Sequence, residues 1–306
     1  MTQTPPEEQP QTPPPAPSKC QIKFWGVRGS VPTPGAATVR YGGNTSCVEV
    51  RADGQIIVLD AGTGIRPLGL ELAREFNGAP IEITLLITHT HWDHIQGFPF
   101  FLPAYQSRNT IRVLGFEGAR QGLASTLAGQ MESPYFPIAL QQMPGNVVIE
   151  ELQSLDFLIG PVHAAATMVN HPGIAVGYRL ATSAGTLAYL PDNEPFRVDQ
   201  NGYSQERVNL QNGKLIDFIR EVDVLIMDSQ YDSEEYSAHI GWGHGCVDEV
   251  VRLALLAGVK RLYLFHHDPG HDDTKIDQML AHAREIAKGG TLEVFASTEG
   301  ETVTLG

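Results

Sequence analysis

The sequence is poor in cysteine, and the few thiols that it has are not arranged for pairing. Its 306 residues include three cysteines, Cys20, Cys47 and Cys246, and no two of them form a CxxC pair. An odd number of widely spaced cysteines argues against a disulfide framework and is typical of proteins from a reducing compartment. We therefore expect a cytoplasmic protein without disulfide bonds.

Basic residues are also scarce. Lys and Arg number 21 against 35 Asp and Glu, which gives a formal net charge of −14. Binding to duplex nucleic acid needs clustered cations that neutralise phosphates, so this composition argues against a duplex-binding protein. A nucleotide-sized anion remains compatible with it, because a bound metal ion would dominate the local charge.

Long hydrophobic runs are missing as well. No apolar run approaches the roughly 18 residues that a membrane-spanning helix needs. The N-terminus also lacks a basic stretch followed by an apolar one, the pattern of a secretory signal. We therefore expect no membrane partner.

Proline, by contrast, is concentrated at the N-terminus. Residues 1–18 hold seven of the 21 prolines and almost no aliphatic side chain. Such a segment cannot bury enough apolar surface to order itself, so we predict a disordered tail over 1–18 and a globular domain over 19–306. A Pro-rich ligand for another domain, through Pro10-Gln-Thr-Pro13, is the alternative interpretation of the tail.

The globular part alternates strand-like and helix-like segments. Runs rich in Val, Ile, Leu, Tyr and Phe predict strands over 21–26, 45–51, 55–62, 81–89, 111–115, 177–181, 186–192, 222–228, 261–267 and 291–297. Apolar residues at helical spacing predict helices over 64–76, 247–259 and 275–289. Strands outnumber helices in each half and each half ends in helices, which predicts an α/β layered sandwich.

The stretch Thr88–His94 concentrates more metal-binding side chains than a solvated loop needs. It directly follows the apolar strand 81–87 and holds His89, His91, Asp93 and His94. Imidazole and carboxylate groups suit divalent ions of the zinc or manganese type. The His-x-His pair can hold one ion, while the following Asp-His pair turns toward a second.

This stretch is the HxHxDH motif, and nearly the whole chain after residue 20 resembles the metallo-β-lactamase superfamily. The resemblance implies a four-layer αββα sandwich that forms a hydrolase domain over 19–306. Asp60, which ends the strand QIIVLDAG, matches the aspartate that orients a ligand from behind. His171, in the segment Val169–Gly173, matches the third ligand motif.

Two further positions have rivals. Asp192 follows the strand TLAYLP and matches the aspartate that bridges two metals, with Asp228 as its rival. In the phosphodiesterase branch the bridging aspartate comes soon after the third-motif histidine, which favours Asp192 and leaves Asp228 as a supporting residue. His266 matches the final ligand, and strand alternation would point its neighbour His267 to the other side.

The resemblance thus implies two ions, with Asp192 and a hydroxide bridging them. Their ligands would be His89, His91 and His171 in one site, and Asp93, His94 and His266 in the other. Zinc is the expected ion and manganese the alternative. Ions roughly 3.5–4 Å apart can activate the bridging water and stabilise both the attacking and the leaving oxygens. Asp93 is predicted to be a catalytic residue as well as a ligand.

A second motif precedes the helix predicted at 247–259. The segment Gly241–Cys246 resembles the Gly-His-Ser-Thr segment of ribonuclease Z and related phosphodiesterases, whose histidine contacts the scissile phosphate. His244 is then a catalytic and substrate-binding residue, at a helix N-terminus that favours anions. Gly245 and Cys246 replace Ser-Thr, which weakens the expected helix cap. The alternative is a helix-entry histidine without a substrate role.

Other branches of the superfamily fit less well. Ribonuclease Z carries a long arm that clamps tRNA, but only 20 residues separate His171 from Asp192 and no basic arm is visible. The lactamases use a cysteine ligand where this chain has Asp192. The flavodiiron branch has a glutamate where this chain has His91.

The segments 25–30 and 41–46 resemble stand-alone metallo-hydrolases related to cyclic-nucleotide phosphodiesterases, including the phage anti-Pycsar type. We therefore expect hydrolysis of a small phosphodiester, first of all a 3′,5′-cyclic nucleotide, with Asn44 among the substrate-binding residues. The glycines of these segments are equally consistent with tight turns. A thioester or lactone hydrolase and a tRNA 3′-processing endonuclease are the alternatives, and a phosphate-binding His244 is unnecessary for a thioester.

The segment 131–137, Met-Glu-Ser-Pro-Tyr-Phe-Pro, lies between the second and third motifs. It has two interpretations: an aromatic wall for a base, or packing in the core or at a dimer interface. We favour packing and expect a homodimer.

Overall fold

The computed structural model describes residues 19–116, 122–198 and 202–306, in which the strands form two seven-stranded sheets. The predicted tail, residues 1–18, lies outside the described residues. The first sheet has the order β14-β1-β2-β3-β4-β5-β6. Its strands are β1 (Cys20–Gly26), β2 (Cys47–Ala52), β3 (Gln55–Leu59), β4 (Glu82–Ile87), β5 (Thr110–Gly115), β6 (Asn146–Glu151) and β14 (Thr302–Leu305).

The second sheet has the order β13-β12-β11-β10-β9-β8-β7. Its strands are β7 (Asp156–Ile159), β8 (Val162–Met168), β9 (Val176–Thr182), β10 (Gly185–Leu190), β11 (Val224–Asp228), β12 (Arg261–Phe265) and β13 (Glu293–Ala296).

Helices connect the strands and cover the sheets. They are α1 (Ile65–Phe76), α2 (Trp92–Ile95), α3 (Leu123–Gly129), α4 (Gln205–Phe218), α5 (Ser233–Tyr236), α6 (Val247–Leu256) and α7 (Asp273–Ile286), with short 3-10 turns at Phe98–Phe100, Leu102–Tyr105 and Leu140–Gln142. In the part of the chain that the structure describes, no helix combines the length and the apolar character that crossing a membrane would need.

Alternation along the strands separates three buried apolar layers. Ile57 of β3 and Ile226 of β11 belong to the layer between the two sheets. Their neighbours Val58 and Leu225 face outward instead, Val58 toward α1 and Leu225 toward α4, α6 and α7. Because each sheet packs on its partner with one face and on helices with the other, the predicted four-layer αββα sandwich is confirmed.

In the parallel part of each sheet, the carboxyl ends of the strands form an edge that can hold a functional site. Strands β3 to β6 run parallel, as do β10 to β13. The carboxyl ends of parallel strands meet at one edge, where ligands of open α/β sheets bind. Predicted site residues follow or end five of these strands: Asp60, His89, Asp192, Asp228 and His266.

Candidate metal centre

Asp60 is the fully buried residue that organises the metal-binding motif from behind. Its Oδ1 accepts a hydrogen bond from the Thr88 amide at 2.8 Å, and its Oδ2 lies 2.9 Å from His94 Nδ1. The hydroxyl of Tyr189, on β10 of the second sheet, also donates to Oδ2 at 2.9 Å. Asp60 therefore orients His94 and ties the two sheets together at the site.

Three histidine rings form the first candidate cluster. His89 and His91 come from the motif loop, and His171 comes from the loop between β8 and β9. The ring centroid of His89 lies 4.5 Å from that of His91 and 4.8 Å from that of His171. His171 Nε2 lies 3.0 Å from His91 Nδ1. One nitrogen of each ring can therefore face the same ion.

Asp93, His94 and His266 form the second cluster. Asp93 Oδ2 lies 3.1 Å from His266 Nε2 and 3.3 Å from His94 Nε2. The amide of Ser30 donates to the same oxygen at 2.7 Å. A Cβ at Gly29 would lie 2.4 Å from the His266 ring, so the segment 25–30 needs glycine there to approach the site.

Asp192 lies between the two clusters. Its Oδ2 is 2.9 Å from His94 Nε2, while its Oδ1 is 3.4 Å from His266 Nε2 and 3.8 Å from His171 Nε2. One carboxylate thus reaches histidines of both clusters, which is the placement that a bridging ligand requires.

The cluster leaves buried polar atoms without partners, and these atoms match a bound cation. His89 Nε2 is buried without a hydrogen-bond partner, and His94 Nε2 and Asp192 Oδ2, although 2.9 Å apart, are not aligned as a hydrogen bond and have no other partner among the described residues. An orphaned buried polar group costs free energy of folding. Nitrogen and carboxylate oxygen are ligands for divalent transition metals, so the residues present fit such ions.

The pKa shifts of the clustered side chains also fit a bound cation. Burial lowers the pKa of His89, His91 and His171, which favours the neutral imidazole that binds metals. Burial would also lower the pKa of His266, but Asp192 and Asp93 outweigh it and raise that pKa to about 9. The buried carboxylates Asp93 and Asp192 therefore stabilise a positive charge beside them, and a metal ion would supply such a charge.

A histidine–aspartate pair stands beside Asp192, and its ligand atoms lie within 4.8 Å of those of Asp192 and His266. The fully buried Asp228 has its Oδ2 3.0 Å from His244 Nδ1. The same Nδ1 lies 3.6 Å from Asp192 Oδ1, and the His244 side chain is 12% exposed. Cys246 is the residue that precedes α6, so a thiol stands where a serine or threonine hydroxyl would cap the helix.

His267 and Asn44 both make hydrogen bonds outside the metal clusters, and for His267 this is the orientation that strand alternation predicts. His267 turns its Nε2 to the carbonyl of Ser297 at 3.0 Å, and burial lowers its pKa to about 3. Asn44 donates through its backbone amide and its side chain to Glu299. This carboxylate engages one donor of the Asn44 side-chain amide, and the substrate-binding role of Asn44 stays a prediction.

The segment 131–137 divides between the core and the surface. Met131 is buried, and Phe136 meets Phe100 in a T-shaped contact at 5.5 Å. Tyr135 is 85% exposed. Packing therefore accounts for Phe136.

Gln230 and Glu194 support the centre but were missed from the sequence. Gln230 Oε1 lies 3.2 Å from His266 Nδ1, and its amide donates to Asp268 at 2.8 Å. Glu194 accepts hydrogen bonds from the loop that precedes His244. Gln230 lies two residues after Asp228, and Glu194 lies two residues after Asp192. This position, just beyond an aspartate that follows a strand, is the sequence feature that could have indicated both residues.

Comparisons with known proteins agree with this geometry. The model of the beta-lactamase superfamily domain matches residues 55–267. The ribonuclease Z of Thermoplasma volcanium is 23% identical over 302 residues, covering 88% of this chain and 94% of that protein.

Solved structures share the fold at lower identity. The metallo-beta-lactamase fold protein YhfI from Bacillus subtilis superposes with a TM-score of 0.65 at 16% identity, covering 94% of this chain and 99% of that one. Unliganded yeast PDE1 gives a TM-score of 0.63 at 13% identity, with coverage of 94% and 99%. The chain, with its His and Asp clusters for divalent ions, therefore belongs to the beta-lactamase superfamily and is a metal-dependent hydrolase.

Proposed function

We propose that the protein is a dinuclear phosphodiesterase that hydrolyses a small phosphodiester, first of all a 3′,5′-cyclic nucleotide. The observation that carries the proposal is the His244–Asp228 pair beside the metal clusters, 3.0 Å between Nδ1 and Oδ2. Neither a thioester nor a lactone requires such a histidine.

The proposed ligands are the residues of the two clusters, with Asp192 shared between them. His89, His91 and His171 would hold one ion and Asp93, His94 and His266 the other, and zinc suits this nitrogen-rich set. When bound, two such ions activate water and stabilise negative charge in a displacement at phosphorus.

His244 has two possible tasks at the phosphate. With Nδ1 engaged by the Asp228 carboxylate, Nε2 is the nitrogen left for substrate, and Asp228 fixes the ring's orientation. In the imidazolium form, Nε2–H can donate a hydrogen bond to a non-bridging phosphoryl oxygen, or a proton to the leaving alkoxide, which leaves a neutral ring with its hydrogen on Nδ1. An alkoxide needs that proton, whereas p-nitrophenolate leaves without it.

RNA processing is the second candidate. It is favoured by the ribonuclease Z of Thermoplasma volcanium, of which the chain matches 94%. The net charge of −14 argues against a tRNA-sized polyanion. A precursor tRNA and a cyclic nucleotide, assayed side by side with zinc and with manganese, decide between the two substrates.

His244→Ala tests the proposal. We expect both metals and the fold to be retained, with about 10²–10³-fold lower kcat/KM on the cyclic nucleotide. The loss on bis(p-nitrophenyl) phosphate is smaller if His244 is a proton donor, and equal if it only binds the oxyanion.

His163→Ala is the matched control, because His163 also pairs with an aspartate, Asp156, at 2.7 Å, but on the exposed surface. Full activity of His244→Ala on every phosphodiester would contradict the proposal and favour a thioester substrate.

A further inference from the structure

The loop that precedes His244 is fixed by one buried carboxylate. Glu194 is 1% exposed and accepts hydrogen bonds from the Gly241 amide at 2.9 and 3.0 Å and from the Gly243 amide at 3.0 Å. The hydroxyl of Tyr236 donates to the same carboxylate at 2.5 Å. Gly241 and Gly243 have φ of +88° and +89°, values that favour glycine. The backbone on both sides of Trp242 is therefore held in place.

Trp242 itself is presented to solvent by this fixed loop. Its side chain is 58% exposed. The indole meets the His239 ring in a T-shaped contact at 4.8 Å, and His239 stacks on Tyr231 at 4.3 Å. Tyr231 in turn contacts the His244 ring, with centroids 6.2 Å apart. A continuous series of rings thus leads from His244 to the exposed indole.

The loop also belongs to the immediate surroundings of the metal centre. The carbonyl of Gly243 lies 2.9 Å from His171 Nδ1, so the residue after Trp242 orients a proposed metal ligand. A Cβ at Gly243 would lie 2.5 Å from the same nitrogen, which shows how closely the loop approaches. Trp242 therefore stands one residue from this peptide and two residues from His244.

From this arrangement we infer that Trp242 is the stacking platform for the nucleobase of the substrate. The inference rests on the proposed phosphodiesterase function and deepens it by assigning the residue that binds the base. A base stacks on an indole through its π face, and this contact does not depend on the charge of the protein surface around it. A rigid backbone limits the ordering cost of binding, which accounts for an exposed indole on a pinned loop.

The test compares two substrates with one leaving group: thymidine 5′-(p-nitrophenyl phosphate), which carries a base, and methyl p-nitrophenyl phosphate, which does not. We expect Trp242→Leu to lower kcat/KM on the thymidine ester by about 5- to 100-fold and to leave the methyl ester within about twofold. Tyr135→Leu, which removes another exposed aromatic ring, is the matched control and should change neither value.

Binding is measured separately from catalysis. Thymidine 5′-monophosphate should quench tryptophan fluorescence in Trp92→Leu, which removes the exposed indole of the metal-binding motif, and fail to do so once Trp242→Leu is added. Equal loss on both esters, retained quenching in the double variant, or a selective loss in Tyr135→Leu would overturn the inference. If the unaltered protein hydrolyses neither ester, the proposed function fails, while the quenching experiment still decides whether Trp242 binds a base.

Discussion

The two sheets contribute to the metal centre in different ways. The first sheet supplies His89, His91, Asp93 and His94 from one short stretch after β4 that runs into α2, and Asp60 anchors that stretch from the end of the neighbouring β3. The second sheet supplies its residues separately: His171 from a hairpin loop, and Asp192, Asp228 and His266 at the ends of three parallel strands.

This difference indicates which substitution should disrupt the metal centre most. A contiguous loop is positioned by local backbone structure and one supporting carboxylate. The dispersed residues depend on the packing of a whole sheet, and they act together only through a group that contacts both sides. Asp192 is such a group, since its two oxygens approach His94, which the first sheet supplies, and His266, which the second supplies.

Removing the shared carboxylate should have the largest effect. We expect Asp192→Ala to lower phosphodiesterase activity by at least about 10³-fold and to reduce the bound metal from about two equivalents toward one, because both ions lose a ligand. Elemental analysis of protein purified without chelator measures the metal content.

Asp217→Ala is the control, because the Asp217 side chain is 70% exposed and pairs with Arg220 at the surface end of α4. A metal content that stays the same in Asp192→Ala would contradict the bridging assignment.

The contrast between the sheets also explains what the sequence could predict. The contiguous motif and the ends of β3, β4, β10, β11 and β12 were recognisable because strand, terminal Asp or His, and turn follow one another in the chain. The structure orients His266 toward Asp93 and His267 toward Ser297, as strand alternation predicts. Glu194 is 47 positions from Gly241 and 49 positions from Gly243 in the sequence, so no local sequence pattern could predict these hydrogen bonds.

Substitution of Asp60, which supports the metal-binding motif from behind, should have the second largest effect on activity and metal affinity. Asp60→Asn keeps the size of the side chain but replaces one acceptor oxygen by a donor amide, facing groups that include His94 Nδ1 and the Tyr189 hydroxyl. We expect about 100-fold lower activity or metal affinity, since His94 loses its orientation. Competition with a chelator measures the affinity.

Tyr189→Phe removes only the link to the second sheet. If Tyr189→Phe were as damaging as Asp60→Asn, the main task of Asp60 would be to join the sheets and not to orient His94.

The corresponding disruption in the second sheet should be milder. Glu194→Gln places a donor against the Gly241 or Gly243 amide, which loosens the peptide that orients His171. We expect about 10-fold weaker metal binding, measured by chelator competition.

Tyr236→Phe serves as the control, because the carboxylate then keeps both backbone amides. Unchanged metal affinity in Glu194→Gln would show that the loop holds its position without this carboxylate.

Several strands and one long helix in the outer parts of the fold were not predicted, because their sequences carry weak secondary-structure patterns. Strands β6, β7, β8 and β14 were missed: β6 alternates only between exposed and half-buried residues, and β8 contains three alanines, which have low strand propensity. Helix α4 was missed because it contains Gly213 and buries only Val208 and Leu215, so its periodicity is weak. These elements lie where packing on a neighbour, and not local pattern, decides the structure.

Deleting the N-terminal tail should have the smallest effect. Residues 1–18 have little apolar surface with which to pack, so their removal should leave kcat/KM within about twofold. Steady-state kinetics on the cyclic nucleotide measure this. A large loss would mean that the tail docks on the hydrolase domain and contributes to its site.

The most direct test of the account is an anomalous diffraction experiment at the zinc absorption edge on crystals of the zinc-loaded protein. The account predicts two peaks, roughly 3.5–4 Å apart, with Asp192 coordinating both. One peak should be bound by His89, His91 and His171, and the other by Asp93, His94 and His266. A single peak, or two peaks of which only one contacts Asp192, would contradict the dinuclear centre on which the proposed function depends.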